Sequence, residues 1–315
     1  HTGRITALTL GQYGLAKRQY GLDNLRVLAS GSDDCTVRLW DIRSGNCLQT
    51  FSNLTHWVRS VVFSPTGKTL AVAGDDQCIH LWEVGHSSIS PKILKGHKHW
   101  VRSIAFSPDP NQPLLASGGD DQIVQLWDTK TGKSIKSLDK HQHRIQAVTF
   151  SPNGAWLASG SDDATVRISD VRTGELVRIL QPHSDESDSQ CGIKSIAFSP
   201  DGSLLASANE GGMVRLWSLS AENCQILIDP GLGERSHQMG VQSVVFSPDG
   251  QTLASSSRNG EIKLWTVPSG MLQETLTVDR LYTGMDITGA RGLSDVQRAT
   301  LLELGAFDQM HSAFG

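Results

Sequence analysis

The sequence predicts an all-β propeller built from six copies of a four-stranded antiparallel unit. The main observation is a recurring phrase, in which a Ser-rich strand and a tight acidic or Gly turn lead to a strand that usually ends in Trp. The third strands of the six copies end at residues 40, 82, 127, 169, 217 and 265, at intervals of 42 to 48 residues. A period close to this length is typical of propeller blades. Gly is also frequent, at 31 of 315 residues, as many tight turns require.

Each copy reads as four short strands. The first strand alternates apolar and polar residues, and in five copies it ends at Phe-Ser-Pro, as at Phe63-Ser64-Pro65. Proline cannot donate to a strand ladder, so the strand ends there. A Gly-containing turn leads to the second strand, a Leu-Ala-Ser run in copies such as 157–159. A tight turn leads to the third strand, Thr-Val-Arg-Leu-Trp or a variant, and a last turn such as 44–46 precedes the fourth strand, as at 47–51.

The repeat resembles the WD-repeat family of β-propellers, and the resemblance covers about residues 1–278. It implies that a structural tetrad of His, Ser, Asp and Trp ties the strands of each blade together. The positions that match this tetrad are His1, Ser30, Asp34 and Trp40 in copy one, His97, Ser117, Asp121 and Trp127 in copy three, His141, Ser159 and Asp163 in copy four, His183, Ser207 and Trp217 in copy five, and His237, Ser255 and Trp265 in copy six.

Four copies depart from the tetrad. Ser169 stands where copy four should have Trp, and Gly211 and Asn259 replace Asp in copies five and six. In copy two, Leu54 and Val72 replace His and Ser together. A half-satisfied buried polar network costs more than an apolar one, so we expect this position of copy two to be apolar.

A His, a Ser and an Asp in one unit also suggest a hydrolase, but the pattern argues against catalysis. The set recurs in several copies, whereas an enzyme needs one site, and the Ser lies within a strand and not on a Gly-x-Ser-x-Gly turn. Gly67-Lys68-Thr69 and Gly132-Lys133-Ser134 lack the first Gly of a phosphate-binding loop. The five Cys are scattered without a C-x-x-C pair. We predict no catalytic, cofactor or metal site.

The resemblance implies that partners bind the top face, which is formed by the inter-blade loops and the turns between second and third strands. The candidate binding residues follow the tetrad His or directly precede the tetrad Asp. They are Trp57, Arg59, Asp75, Trp100, Arg102, Asp120, Arg144, Asp162, Lys194, Glu210 and Arg258. Trp and Arg are enriched in binding hot spots, and charges of both signs suit a polar protein or peptide. The alternative is that the two Trp only pack against the next blade while acids and bases pair with one another.

Residues 279–315 fall outside the repeat. Ser294 and Gln297 form a capping-box pattern and Gly305 is a stop signal, so we predict a helix at about 295–304. The segment resembles the closing tail of large cyanobacterial WD-repeat proteins, many of which carry a signal-transducing NTPase module of the STAND type upstream. This resemblance implies that the chain is the sensor or scaffold end of a longer polypeptide.

The number of blades in the ring stays open at this stage. Family rings commonly have seven blades, whereas this chain has six copies and starts at the inter-blade His1 of copy one. Either the ring closes with six blades, or a seventh lies upstream, or the tail substitutes for it. We favour a seven-bladed ring that lacks one blade here.

Composition limits the classes of partner that this chain is expected to bind. The net charge is −4 and no Lys/Arg cluster is present, which argues against nucleic acid and against an anionic membrane surface. No apolar run approaches the ~20 residues that a membrane helix needs. We therefore predict a cytoplasmic, noncatalytic scaffold or sensor of a bacterial signalling protein, with a protein or peptide partner on the top face. The alternatives are a small-ligand or peptide site in the central channel and, with less support, a propeller enzyme.

Overall fold

Every repeat folds into one four-stranded antiparallel sheet, and six such blades form a β-propeller, as the sequence predicts. The computed structural model describes residues 1–13, 25–52, 54–85, 90–138, 141–181, 191–221, 223–233 and 235–277. Within these ranges all regular elements are strands. The predicted helix at about 295–304 and the rest of the 279–315 segment lie outside the described residues.

The strands of each blade lie side by side in chain order. Blade one contains β1 (Ile5–Tyr13), β2 (Leu25–Ser32), β3 (Val37–Asp41) and β4 (Cys47–Phe51), and blade two contains β5 (Val58–Phe63), β6 (Thr69–Gly74), β7 (Cys78–Glu83) and β8 (Lys92–Lys95). Blade three contains β9 (Val101–Phe106), β10 (Leu114–Gly119), β11 (Val124–Asp128) and β12 (Ser134–Leu138), and blade four contains β13 (Ile145–Phe150), β14 (Trp156–Ser161), β15 (Val166–Asp170) and β16 (Leu176–Leu180). Blade five contains β17 (Ile193–Phe198), β18 (Leu204–Asn209), β19 (Val214–Ser218) and β20 (Cys224–Ile226), and blade six contains β21 (Val241–Phe246), β22 (Thr252–Ser257), β23 (Glu261–Thr266) and β24 (Leu272–Thr277).

The turn between the second and third strands has the same backbone conformation in every blade. The carboxylate of Asp34 accepts a hydrogen bond from the backbone N–H of Thr36 at 3.0 Å, which fixes a short side-chain-capped turn. The residue after this Asp position is left-handed, for example Gln122 at φ 69° and Ala164 at φ 63°. Glycine, which adopts this conformation without steric cost, takes the position in blade five, at Gly212.

Neighbouring blades pack face to face through apolar side chains. Val37 and Leu39 from the third strand of blade one are buried together with Val58 and Val61 from the first strand of blade two. Equivalent clusters join blades two and three, three and four, four and five, and five and six. Blades two to five therefore bury both sheet faces against their neighbours, which is how a repeat unit that is too small to fold alone becomes stable.

A serine hydroxyl also links the first strands of neighbouring blades. The Oγ of Ser60 in blade two accepts a hydrogen bond from the backbone N–H of Ile104 in blade three at 3.2 Å. Ser103 accepts in the same way from the N–H of Val148, at 3.1 Å. These bonds tie the first strands of neighbouring blades together, and we refer to them as the serine clip.

Candidate functional site

The tetrad of blade three is a continuous buried hydrogen-bond chain. The indole N–H of Trp127 donates to Ser117 Oγ at 2.8 Å, and Ser117 Oγ lies 2.6 Å from His97 Nε2. The other ring nitrogen, His97 Nδ1, lies 2.8 Å from the carboxylate of Asp121. Burial acts to raise the pKa of Asp121, but hydrogen bonds from His97 and two backbone N–H groups outweigh it, so the pKa is lowered. The Ser hydroxyl is fully engaged between two rings, so it is placed to hold strands together.

The other predicted tetrads form to the extent that their residues allow. In blade one, His1 lies 2.6 Å from Ser30 and 2.9 Å from Asp34, and Trp40 donates to the same Ser at 2.8 Å. In blade four the His–Ser and His–Asp contacts are present without an indole donor, and in blade five the Trp–Ser contact is present while the predicted His lies outside the described residues. These contacts join His141 with Ser159 at 2.7 Å, His141 with Asp163 at 2.9 Å, and Trp217 with Ser207 at 2.8 Å.

Blade six has a tetrad with one missing contact. His237 Nε2 lies 2.6 Å from Ser255 Oγ, and Trp265 donates to the same oxygen at 2.8 Å. The amide oxygen of Asn259 accepts from Ser257 and from a backbone N–H, so His237 Nδ1 is buried without a hydrogen-bond partner. Burial, reinforced by the charge of Lys263, lowers the pKa of His237 to about 4. The native blade therefore holds this imidazole neutral.

The cation near His237 is one that sequence reasoning missed. The ammonium of Lys263 is buried, donates to the backbone oxygen of Ser236 at 2.9 Å and pairs with the carboxylate of Asp229. The sequence signal that could have revealed this cation is the position of Lys263, two residues before the blade Trp on the third strand.

Blade two is apolar where the sequence predicts it, because Val72 is buried in the apolar cluster between blades one and two and Leu54 packs against that cluster. The sequence reasoning missed that Asp76 keeps an imidazole partner. His80 Nε2, from the third strand of the same blade, lies 2.5 Å from the Asp76 carboxylate, and its ring stacks on Trp82 with centroids 5.4 Å apart. Burial tends to raise the pKa of Asp76, but the His80 hydrogen bond and charge lower it overall. A His four residues after the Asp replaces the one from the linker.

The candidate binding residues lie at one edge of the propeller, which we call the rim. In each blade the backbone N–H of the residue before the tetrad Asp position donates to the residue that precedes the first strand, as Asp75 N–H does to the Trp57 carbonyl at 3.1 Å and Asp120 N–H to the Trp100 carbonyl at 2.9 Å. The same bond joins Asp162 to Arg144, Glu210 to Gly192 and Arg258 to Gly240. The repeat therefore carries equivalent positions of all six blades to the same edge.

Acids and bases at the rim pair with one another. Arg59 makes a two-pronged contact with Asp75, with N–O distances of 2.7 and 2.8 Å, and Arg102 contacts Asp120 in the same way. The hydrogen bonds and charge of Asp75 raise the pKa of Arg59 against the effect of its burial.

Some rim pairs cross from one blade to the next. Arg144 lies 3.9 Å from Asp120 of the preceding blade. Further along, Lys194 lies 3.1 Å from Asp162 and 3.5 Å from Glu210, which lies 3.0 Å from Arg258. By their side-chain contacts the eleven candidates form one group on blades two to four and one on blades four to six, and the backbone bond between Asp162 and Arg144 joins the two groups.

Two tryptophans stand out in the first group. Trp57 is 49% exposed and Trp100 is 36% exposed, although both are large apolar side chains. The Arg59 guanidinium lies 5.0 Å from the centre of the Trp57 ring system and 5.7 Å from that of Trp100, so one cation connects the aromatic rings of two blades. Arg102 adds a second contact to Trp100 at 5.7 Å. We call Trp57, Arg59, Trp100 and Arg102 the aromatic arc.

Other parts of the described chain give weaker indications of a binding site. A groove of about 420 Å³ lies between blades four and five, at the turns that join first and second strands, and is lined by residues such as Pro152, Trp156 and Pro200. Among the residues that the structure describes, no group of three or more His, Cys, Asp or Glu side chains could hold a metal ion. That part of the chain also has no helix long and apolar enough to cross a membrane.

Curated proteins with similar sequences match part of this chain. The nuclear distribution protein PAC1 of Arthroderma otae is 31% identical over 141 residues, which cover 38% of this chain and 30% of that protein. The nuclear distribution protein nudF of Emericella nidulans is 31% identical over 163 residues, with 45% and 36% covered, and the Lissencephaly-1 homolog of Heterostelium pallidum is 31% identical over 100 residues, with 32% and 24% covered. The chain therefore spans about a third or less of the length of these relatives.

The family comparison covers most of the chain. The model of the WD domain, G-beta repeat, matches residues 1–41, 45–83, 89–128, 132–170, 174–218 and 232–266. Each matched range ends at the last residue of the third strand of one blade, so the repeats of the family model follow the same spacing as the blades of the structure. This chain belongs to the WD40 family of G-beta repeat proteins.

Proposed function

We propose that this chain is a noncatalytic protein-interaction module whose partner, a protein or peptide, binds the aromatic arc on blades two and three. The observation that carries the proposal is the exposure of Trp57 and Trp100 beside a fixed Arg59. Trp and Arg are the residues most enriched in binding hot spots. In the remaining blades, Arg4, Arg144, Gly192 and Gly240 stand at the position of these two Trp.

The aromatic arc is organised before any partner arrives. The two-pronged contact with Asp75 fixes the guanidinium of Arg59, whose side chain is only 15% exposed, and the guanidinium in turn contacts both rings. A side chain that is already fixed loses little conformational entropy on binding, so more of the contact energy is available for affinity.

Pairing of charges at the rim limits the kind of partner. Asp75 and Asp120 are already engaged by arginines, so the arc presents neither a free anionic nor a free cationic field. Recognition would rest on stacking against the indoles and on hydrogen bonds to the ring of charged groups around them. A polar protein surface or an extended peptide with an aromatic, proline or aliphatic anchor fits this arrangement.

We further propose that the chain acts in the cytoplasm as the sensor or scaffold end of a longer bacterial signalling protein that has an upstream domain. The support is the likeness of the segment around 281–304 to the closing tail of cyanobacterial WD-repeat proteins. The relatives named for nuclear distribution do not extend that role to this chain, because their matches cover about a third of their length.

The test is capture of partners by the intact chain, followed by substitution of both indoles, Trp57→Ala with Trp100→Ala. We expect affinity for the captured partner to fall at least about tenfold, since each hot-spot truncation typically costs more than about 1 kcal/mol. Ile93→Ala with Ile135→Ala is the matched control, because these side chains are exposed on the fourth strands of the same two blades. Full affinity in the indole variant would refute the proposal.

A further inference from the structure

Each blade carries a bulge at the second residue of its first strand. The pairing of the first and second strands skips this residue in all six blades. A bulge re-aims the side chain that it carries. In blades two to four this side chain bonds the residue directly before the tetrad Asp position, which we call the rim acid where it is Asp or Glu. In blade order the bulge residues are Thr6, Arg59, Arg102, Gln146, Lys194 and Gln242.

Blade one has a rim acid, Asp33, but no base at its bulge. The bulge residue is Thr6, whose hydroxyl donates to the backbone oxygens of Val58 and Gly31, at 2.6 and 3.1 Å. Asp33 Oδ1 is buried and has no hydrogen-bond partner within the described part of the chain. Because the Thr side chain is short and bonds the backbone, the place beside Asp33 that an Arg fills in the next two blades stays open.

The rim acids of blades two to five are all hydrogen-bonded. In blades two and three the bulge Arg makes two hydrogen bonds to the acid. In blade four, Gln146 donates to Asp162 at 2.8 Å and Lys194 adds a contact at 3.1 Å. In blade five, Glu210 accepts from Arg258 at 3.0 Å. Asp33 is therefore the exception among the described rim acids.

The lack of a blade before blade one does not explain the state of Asp33. In each ion pair that crosses between blades at the rim, among the residues that the structure describes, the base comes from the later blade, as Arg144 does for Asp120. The later blade for Asp33 is blade two, which is in place. Its Arg59 lies 4.0 Å from Asp33 Oδ1 but donates its hydrogen bonds to the acid of its own blade.

Asp33 lies at the end of the aromatic arc. The Arg59 guanidinium that approaches Asp33 also lies 5.0 Å from the centre of the Trp57 ring system. The other nearby cation, Arg4, lies 3.5 Å from Asp33 Oδ2, but its side chain is 74% exposed, and an exposed ion pair is worth little. A buried oxygen without a donor gains most from a new hydrogen bond. A partner that stacks on Trp57 therefore has a suitable acceptor beside it.

We propose that Asp33 binds an arginine side chain of the protein or peptide partner. The guanidinium takes, on blade one, the place that Arg59 and Arg102 take on blades two and three. A guanidinium offers two parallel N–H donors and satisfies both carboxylate oxygens, whereas an ammonium acts as a point charge. The inference rests on the proposed function, because it adds a charged anchor to a partner that binds the aromatic arc.

The first experiment asks whether this place accepts a guanidinium, and it needs no partner. Thr6→Arg supplies a guanidinium from the bulge of blade one, and Thr6→Met supplies a side chain of similar length without a donor. Both variants lose the hydroxyl contacts of Thr6, so only the guanidinium distinguishes them. We expect Thr6→Arg to melt about 1–3 °C above Thr6→Met, and the difference to vanish when both also carry Asp33→Asn. Equal melting temperatures of the two variants would overturn the proposal.

The second experiment measures the arginine of a bound peptide. Random peptides displayed on phage are selected on the intact chain, and those that no longer bind the variant with Trp57→Ala and Trp100→Ala are kept. We expect Arg at one fixed position of these peptides. In a synthetic peptide from this set, Arg is then replaced by citrulline, which is neutral and has nearly the same shape. This change should weaken binding at least about tenfold on the parent chain and less than about twofold on the Asp33→Asn chain.

Glu83→Gln is the control, because Glu83 is an exposed acid at the end of a third strand, away from the rim, and it should keep the tenfold effect. A tenfold effect that persists on Asp33→Asn, or arc-dependent peptides without a preferred Arg, would overturn this inference and leave the aromatic arc as the binding site. Arg-dependent binding that appears only after residues 278–315 are removed would assign the place to the chain's own tail and would also overturn it. Peptides that all bind independently of the arc would refute the proposed function, and this inference with it.

Discussion

Replacing Ser117 by Ala should destabilise the propeller more than the same substitution at Ser159, although both serines hold the same tetrad position. Ser117 is fully buried and joins two rings, at 2.6 Å to His97 and 2.8 Å to Trp127. Ser159 joins one ring, at 2.7 Å to His141, because Ser169 stands where the indole would be, and its contact with the Arg167 carbonyl is 3.5 Å long.

The magnitude follows from the groups left without a partner. Leaving a buried polar group unsatisfied costs about 1–3 kcal/mol. Ser117→Ala leaves both the Trp127 N–H and His97 Nε2 without a hydrogen-bond partner, so we expect a loss of about 2–4 kcal/mol in the free energy of unfolding. Ser159→Ala leaves only the imidazole of His141 without this partner, so we expect a loss of about 1–2 kcal/mol.

Urea denaturation followed by tryptophan fluorescence and by circular dichroism measures these losses, and both probes should give the same transition. Ser137→Ala is the control, since Ser137 is exposed on the fourth strand of the blade that contains Ser117. We expect this change to be neutral within about 0.5 kcal/mol. A loss at Ser117 no larger than that at Ser159 would refute the view that the number of ring partners sets the contribution of the tetrad serine.

Two further predictions concern blade six and the turns. The pKa of His237 is about 4 in the folded state and 6.5 ordinarily, so the unfolded chain binds the proton first and stability falls as pH falls from about 6.5 toward 4. Between pH 7 and pH 5 we expect this group to lower the free energy of unfolding by about 2 kcal/mol. His237→Gln should therefore make the free energy of urea unfolding depend less on pH. A variant with the same pH dependence as the parent would show that His237 is not its cause. Gln122→Gly should raise the free energy of unfolding by about 0.5–1 kcal/mol, because Gln122 is exposed and its backbone is left-handed, at φ 69°. The control is Gln225→Gly, which lies within a strand and should lower the free energy of unfolding. A loss of stability in the Gln122→Gly variant would contradict the argument from backbone strain.

Much of the scaffold could be predicted from local pattern. The Phe-Ser-Pro endings and Gly turns predict the strand ends, and the resemblance to the WD-repeat family implies the tetrad of Ser117, His97 and Trp127, whose contacts form in blade three. The blade-two contact between Asp76 and His80 could not be predicted in the same way, because the imidazole comes from within the blade and not from the linker. Likewise, Asn259 fits the tetrad position by sequence, but its amide oxygen accepts a hydrogen bond from Ser257. His237 Nδ1 is therefore buried without a hydrogen-bond partner.

The sequence by itself determined the fold and the phase of the six repeats, because strand ends, turns and alternation are local properties of the chain. The resemblance to the WD-repeat family implied the edge of the propeller to which the rim residues belong. Only the tertiary structure decided which of those residues act together. The contact of Arg59 with two indoles depends on the distance between neighbouring blades, and the exposure of Leu8 and Ile262 depends on whether a sheet face has a neighbour. The apolar pattern of blade one is much like that of blades two to six, so the exposure of Leu8 is decided by packing between blades and cannot be inferred from the pattern of any one repeat.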